Sequence, residues 1–463
     1  DVRLLTGRGT FTDDISLPGD ALAYVLGSPH AHARILSLDT AAAQAAPGVI
    51  AVLTGQDAAA DGIGHFPVMV EVPGKDGQPL WPTPREMLQT RKVRFVGDPV
   101  ALVVAETRAQ AQDAAELIAV EYEILPSVTD TAAADRPDAP LVWEERGSNL
   151  CVHWTSGRER EAEDAFARAV QVVTVDLVNN RLVGNPMEPR VAIGEYDAAT
   201  GRWTLHSPTQ GVIRVRDGLA KHILEVPNDR LRVVSPDVGG GFGLRGKIFP
   251  ESGMVLWAAK RLGRPVKWLS GRSETFVCDP HGRDHVTRAA MAFDADGRVL
   301  GVRIRTVAAM GAYLQDFGPR IPTVAGGRIN GTVYDIQALN AQVRCVFTNT
   351  SPTDAYRGAG RPEELPYFGP LQKVPDGLLR KFFAYSRVPG EPKTYVQDRM
   401  RATPDEVSVF LKHEKTHIYI CGLKGMETGV DEALADICRG SGTDWAELRQ
   451  AMRTQGRYHV ETY

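Results

Sequence analysis

The chain has 463 residues, 43% of them hydrophobic and 24% charged, which suits several packed cores and excludes a disordered or fibrous polymer. A formal net charge of −4 offers no global basic field for nucleic acid or anionic lipid. No run approaches the roughly 20 apolar residues that cross a bilayer. The five cysteines include no CxxC pair, so an iron–sulfur or structural zinc framework is not expected and a reducing cytoplasm is. The opening residues, DVRLLTGRGT, lack Met and a signal-peptide pattern and read as a fragment edge.

Residues 21–26 and 48–53 have strand texture. The run VRFVGDPVALVVA at 93–105 is broken by Gly97, Asp98 and Pro99, and 100–105 then reads as a buried strand. From 107 to 120, Ala111, Ala114, Ala115 and Ile118 recur at helical spacing. These elements predict a small α+β domain over 1–130. The Ala-, Asp- and Pro-rich stretch that opens 131–149 predicts a linker. His30 and His32 form an H-x-H with no third ligand nearby, which favours a turn or strand end over a metal centre.

Residues 150–363 predict a larger mixed α+β domain. A strand at 231–234 runs into a glycine cluster, and a helix at 251–262 and strands at 266–269 and 299–307 follow. From 364 onward the texture changes. Strands are expected at 382–386 and 416–421, and a helix at 429–439 places Val430, Ala433, Leu434, Ile437 and Cys438 on one face. That alternation predicts a parallel α/β unit over 364–463.

The glycine cluster is DVGGGFGLRG at 237–246. Glycines at this density bring backbone amides close to a ligand, and successive amides can form an anion-binding nest. A G-x-G-x-x-G also occurs at Gly241, Gly243 and Gly246, so a dinucleotide-binding dehydrogenase is an open alternative. Against it, KIFP at 247–250 separates the glycines from the helix. The next strand ends in Ser270, Gly271 and Arg272, with no acidic residue to hold a ribose.

Other strings accompany this loop in order: GRGTFTDDI at 7–15, SPHAHARI at 28–35, PGVIAVLTG at 47–55, NPMEPR at 185–190, SPTQG at 207–211, RPVKW at 264–268, HGRDH at 281–285 and AYRGAGRPE at 355–363. Together they resemble the large subunit of the xanthine oxidase family of molybdenum hydroxylases. The resemblance implies an oxidoreductase with an α/β hammerhead-like domain and the first part of a molybdopterin-binding domain. It implies that Gln210 lies beside the molybdenum ligands and that Gly240, Gly241, Phe242 and Gly243 pack against the metal centre and pterin. Arg357 then lies in the substrate loop, and no metal ligand comes directly from protein. The implied partners are a flavin-binding medium subunit carrying FAD and a small subunit carrying iron–sulfur clusters. The implied cofactor is molybdopterin in its cytosine dinucleotide form.

Gly358 stands where the carbon-monoxide-oxidising branch carries a copper-binding Cys, which favours an aldehyde or N-heterocycle as substrate. The family's general base belongs to a G-x-G-E motif that occurs nowhere in this chain. Glu251 and Glu363 lie near matched strings, but the resemblance assigns neither as that base.

The last hundred residues resemble the end of the NADP-binding domain of ferredoxin–NADP reductases, of the type found in benzoyl-CoA oxygenase reductase components. The matching strings are FFAYSR at 382–387, KTYVQDRM at 393–400, YICGLKGMETGVDEA at 419–433 and GRYHVETY at 456–463. That resemblance implies Ser386, Arg387, Lys393, Tyr395 and Gln397 around the adenosine 2′-phosphate of NADP. It implies Cys421 and Glu461 near the nicotinamide and Tyr463 stacked on a flavin. The reductase family's flavin motif and pyrophosphate loop are absent. The join near 364 therefore leaves three readings: a hydroxylase fragment fused to a truncated reductase module, an NADP-linked electron-transfer enzyme, and a non-functional chimeric product.

Overall fold

The computed structural model describes residues 2–358, 384 and 393–462, apart from 69–70, 76, 78, 328–335 and 423. The chain divides into two compact units, Asp1–Lys373 and Val374–Tyr463.

A seven-stranded sheet organises the first unit. Its order is Leu231–Val234, Arg202–His206, Val191–Asp197, Val266–Leu269, Ala21–Gly27, Pro99–Ala105 and Val49–Thr54. Ala21–Gly27 pairs in parallel with Val266–Leu269 and antiparallel with Pro99–Ala105. Strands from both sides of 131–149 thus share one ladder. All seven residues of Pro99–Ala105 are buried, as expected for a continuous apolar run covered on both faces. Leu102 and Val104 face a core shared with helix Pro250–Leu262, while Ala101, Val103 and Ala105 face Ala111, Ala114 and Ala115.

Helix Arg108–Glu116 ends earlier than expected, and Ala119–Ile124 is a strand paired with Ala33–Asp39. Val120, Tyr122 and Ile124 alternate with Glu121 and Glu123, a period-two pattern that prevails over the helical spacing before it. The stretch 131–149 is packed rather than free. Val142 and Trp143 are buried, Trp143 Nε1 donates to Ala312 O at 2.8 Å, and the Arg94 guanidinium lies 3.5 Å from the Trp143 ring. A five-stranded sheet follows, in the order Leu150–Gly157, Leu339–Phe347, Val299–Gly311, His285–Phe293 and Gln171–Asn179.

The second unit contains parallel strands Ile418–Gly422 and Tyr458–Thr462, linked through helices Lys424–Gly440 and Trp445–Thr454. A helical crossover is what parallel neighbours require. Leu411, Ile420, Val430, Leu434, Trp445 and Met452 form its core. The strand expected at 382–386 lies, apart from residue 384, outside the described residues.

Candidate functional site

The strand Leu231–Val234 delivers the glycine loop. Asp237 anchors its start by accepting from Thr10 N at 2.8 Å and pairing with Arg3. The Arg3 guanidinium, with the Thr10 amide, holds the Asp237 carboxyl down at about 2. Gly240, Phe242 and Gly243 have φ of 108°, 50° and 92°, so the loop turns repeatedly through the left-handed region. Gly241 and Gly243 are needed for close approach. A Cβ at Gly241 would lie 2.5 Å from Gln210 Cδ, and one at Gly243 would lie 2.7 Å from Ala355 O. Among the described residues, no acceptor meets the amides of Gly240, Gly241 or Phe242. These amides are backbone donors of the kind that suit an anionic group.

Gln210 lies against this loop. Its Oε1 accepts from Gly243 N at 2.9 Å and Arg245 N at 3.2 Å. The carboxamide is thereby oriented, and its Nε2 end is the donor left to present outward.

Buried charge supports the loop from below. Glu188 Oε2 accepts from Gly239 N at 2.7 Å, and Glu188 N donates to Gly239 O at 3.1 Å. Arg245 is sealed from solvent and donates from Nη2 to Glu188 O, while its Nε and Nη1 have no partner among the described residues. Burial pushes the Arg245 guanidinium down to about 10. Arg190 donates to Asp279 and, at 2.5 Å, to Glu251 Oε2, with all three side chains buried. Burial works against the Arg190 charge, but these two carboxylates outweigh it and raise its pKa. Glu251 is therefore committed to a structural ion pair.

The loop containing Arg357 is fastened to the glycine loop. Arg357 N donates to Phe242 O at 2.8 Å, and the exposed Arg357 guanidinium lies 5.6 Å from the Phe242 ring. Lys247 Nζ lies 2.6 Å from Asp354 Oδ2, both groups fully buried. Gly358 has φ of 75°, and among the described residues nothing lies within 4 Å of where its Cβ would be.

Gln210, Gly240, Gly241, Phe242, Gly243 and Arg357 are thus brought together from distant parts of the sequence. Residues 6–126 match the family model described as aldehyde oxidase and xanthine dehydrogenase, a/b hammerhead domain. Residues 142–367 match the molybdopterin cofactor-binding domain. Over residues 6–367 the chain belongs to the molybdenum hydroxylase large-subunit family.

Among its relatives is the 6-hydroxypseudooxynicotine dehydrogenase complex subunit gamma of Paenarthrobacter nicotinovorans, 34% identical over 78% of this chain and 45% of that one. The nicotine 6-hydroxylase large subunit of the same organism is 35% identical over 78% and 43%. The crystal structure of quinoline 2-oxidoreductase from Pseudomonas putida 86 superposes with a TM-score of 0.72, at 36% identity, over 78% of this chain and 45% of that one. The chain spans about half the length of the relatives it matches. Neither family model extends past residue 367.

In the first unit, Glu188, Arg190 and Arg245 carry the glycine loop but were not singled out by sequence reasoning. The signal available was NPMEPR itself, where a carboxylate and an arginine alternate with prolines. His30 packs edge-on against Tyr122, and buried His32 bonds Pro126 O through Nδ1 at 2.8 Å. Among the described residues, no group of three His, Cys, Asp or Glu could hold a metal ion.

In the second unit, Cys421 stands opposite Glu461 at the carboxyl ends of the parallel strands. Tyr395 precedes helix Val396–Ala402, with its amide donating to Asp398 Oδ2 at 2.9 Å. Lys393 is exposed, and the Gln397 carboxamide packs against Gly429. Ser386, Arg387 and Tyr463 lie outside the described residues. Among those described, no helix is long and apolar enough to cross a membrane.

Proposed function

We propose that residues 1–363 form the glycine-loop and substrate-loop part of a molybdenum hydroxylase acting on an aldehyde or N-heterocycle. The observation that carries this reading is the seating of Gln210 on Gly241, its Oε1 fixed by Gly243 N. A glycine loop on which the Gln210 carboxamide sits, with backbone amides that meet no acceptor among the described residues, fits a molybdopterin. When bound, that cofactor supplies the two-electron centre for hydroxylation with water as oxygen source. Gly240, Gly241 and Phe242 would offer backbone donors to it, and the cytosine dinucleotide form is the one we favour. Gln210 would hold a hydrogen-bond donor toward the metal's ligands. Arg357, exposed beside Phe242, would position the substrate. No residue of the chain is assigned as general base, since Glu251 is occupied by Arg190. FAD and iron–sulfur clusters would reside on medium and small partner subunits.

The reading is tested by co-expressing the chain with such subunits in a host that makes molybdenum cofactor, then measuring bound molybdenum by mass spectrometry. We expect molybdenum in the wild type and its loss in Gly241→Val. A metal-free wild type would overturn the assignment.

The register of Cys421 against Glu461 favours a second reading for residues 364–463, an NADP-binding module. Ligands of open α/β sheets bind at the carboxyl ends of strands, where both residues lie. Equilibrium dialysis of the intact chain with NADP tests it. Binding weakened by Lys393→Ala is expected, and no binding by the wild type would end the reading.

A further inference from the structure

The motif HGRDH at 281–285 has no role in the function proposed above. We propose that Arg283 is a positioning residue that clamps the substrate loop onto the cofactor loop. This rests on the reading of those two loops as cofactor and substrate site.

The geometry is specific. Arg283 Nη2 donates to Arg357 O at 3.1 Å, and Nη1 lies 3.5 Å from Tyr356 O. The same guanidinium stacks on the Tyr356 ring, 4.8 Å from its centroid. One planar fork thus reaches the carbonyls of Tyr356 and Arg357 while its face covers the Tyr356 ring, a combination that lysine cannot reproduce. Gly282 makes room for Tyr356, since a Cβ there would lie 2.4 Å from Tyr356 Cβ. The far side of the clamped loop meets the glycine loop, because Arg357 N donates to Phe242 O. Arg357 is therefore held on both edges of its peptide, by Arg283 at its carbonyl and by Phe242 at its amide.

The clamp is itself held in an unfavourable conformation. Arg283 and Asp284 are consecutive non-glycine residues with φ of 64° and 73°. Such backbone persists only where the surroundings over-determine it, and it gathers at functional sites. The surroundings here do so. Asp284 accepts from Arg181 Nε at 2.6 Å and from Thr131 Oγ1 at 2.5 Å. Asp284 N donates to Asn179 O at 3.0 Å, and its own carbonyl accepts from Ala309 N at 3.0 Å. On the other side, His281 N donates to Pro352 O and Asp354 N donates to His281 O, so 281–284 runs alongside the start of the substrate loop. The strained pair aims the Arg283 side chain at Tyr356 and Arg357 rather than away from them.

Hydrogen–deuterium exchange on the intact chain tests the clamp without any cofactor. In Arg283→Ala, amides of 355–358 should exchange about tenfold faster while the strand Leu231–Val234 keeps its protection. Arg283→Lys, which keeps the charge and loses the fork, should restore protection only partway. Unchanged exchange at 355–358 in the alanine variant would overturn the proposal. So would a uniform increase across the whole unit, which would mark Arg283 as a general fold-stabiliser. In the reconstituted holoenzyme, Arg283→Ala should raise KM about tenfold with kcat within threefold and bound molybdenum unchanged. A fall in kcat alone, with KM preserved, would contradict positioning through the substrate loop. Wild-type protein without molybdenum would sink the cofactor assignment while leaving the exchange result to judge the clamp.

Discussion

Lys247 and Asp354 form an ion pair of 2.6 Å with both side chains sealed from water. Lys247 follows the glycine loop and Asp354 opens the substrate loop, 107 residues later by subtraction of their numbers. The pair is therefore a buried bolt between two segments that must stay in register for the site to exist. Its chemistry has an asymmetric consequence. Desolvation offsets much of the attraction between two buried charges, but removing one partner leaves the other uncompensated.

Asp354→Asn should accordingly destabilise the first unit by about 3–5 kcal/mol. Replacing both members by apolar residues of similar volume should cost much less. Urea unfolding of the two variants, followed by tryptophan fluorescence, makes the comparison. A single-variant loss no larger than that of the double variant would contradict the bolt.

The loop glycines separate geometry from stability. Gly243 has φ of 92° and lies against Ala355 O, so Gly243→Ala incurs about 1–2 kcal/mol of left-handed strain in addition to a backbone clash. Gly241 has no such φ, and the nearest atoms to its added methyl belong to the exposed Gln210 side chain rather than to backbone. Gly241→Ala should therefore displace Gln210 and lower molybdenum retention with little change in the urea midpoint. Gly243→Ala should lower that midpoint. Equal midpoints in the two variants would break the distinction.

Much of this site was legible as local pattern. The strand at 231–234 and the strand at 266–269 appear where apolar runs end in turn signals, and the helix appears one residue earlier than expected, at Pro250. Of the four residues KIFP, which weakened the dinucleotide reading, Lys247, Ile248 and Phe249 do separate the glycines from that helix, and Pro250 opens it. What stayed hidden is non-local. Nothing in the strings around Ala21 and Val266 announces that they are ladder partners, so two predicted domains read as separate although they share a sheet. The charges beneath the loop were hidden for a related reason. Glu188, Arg190 and Arg245 look like surface residues until the fold buries them against one another. Alternation of Tyr122 and Ile124 with Glu121 and Glu123 was visible, but the alanine spacing before it suggested that the helix ran on to 120.

Glu251 gives a test that bears on the missing base. Its carboxylate is buried and bonded to Arg190 Nη1. Glu251→Gln keeps an acceptor but removes the charge, and should cost about 1.5–3 kcal/mol of stability. If Glu251 were the proton acceptor of the reaction, the variant would instead lose turnover at unchanged stability. Urea unfolding alongside holoenzyme kinetics tells these apart.

Asp98 should leave a signature in the pH dependence of folding. It is completely buried, accepting from Arg94 N at 2.9 Å and Tyr313 Oη at 2.8 Å through one oxygen, while Oδ1 has no partner among the described residues. Burial pushes its carboxyl up to about 6, against the opposing influence of Arg85 and of these donors. A carboxyl whose folded value is raised binds its proton more tightly in the folded state. Its contribution to stability is thus fully present below the unfolded value of 3.8 and is lost as pH rises through about 6. The difference of about two pH units corresponds to about 3 kcal/mol. Asp98→Asn removes the titration and keeps an oxygen for Arg94 N and Tyr313 Oη. Its stability relative to wild type should therefore climb by about 2–3 kcal/mol between pH 4 and pH 7. Urea midpoints measured at half-unit steps would follow this climb, and a difference between the two proteins that stays flat across the window would show that Asp98 is ionised in the fold at acid pH.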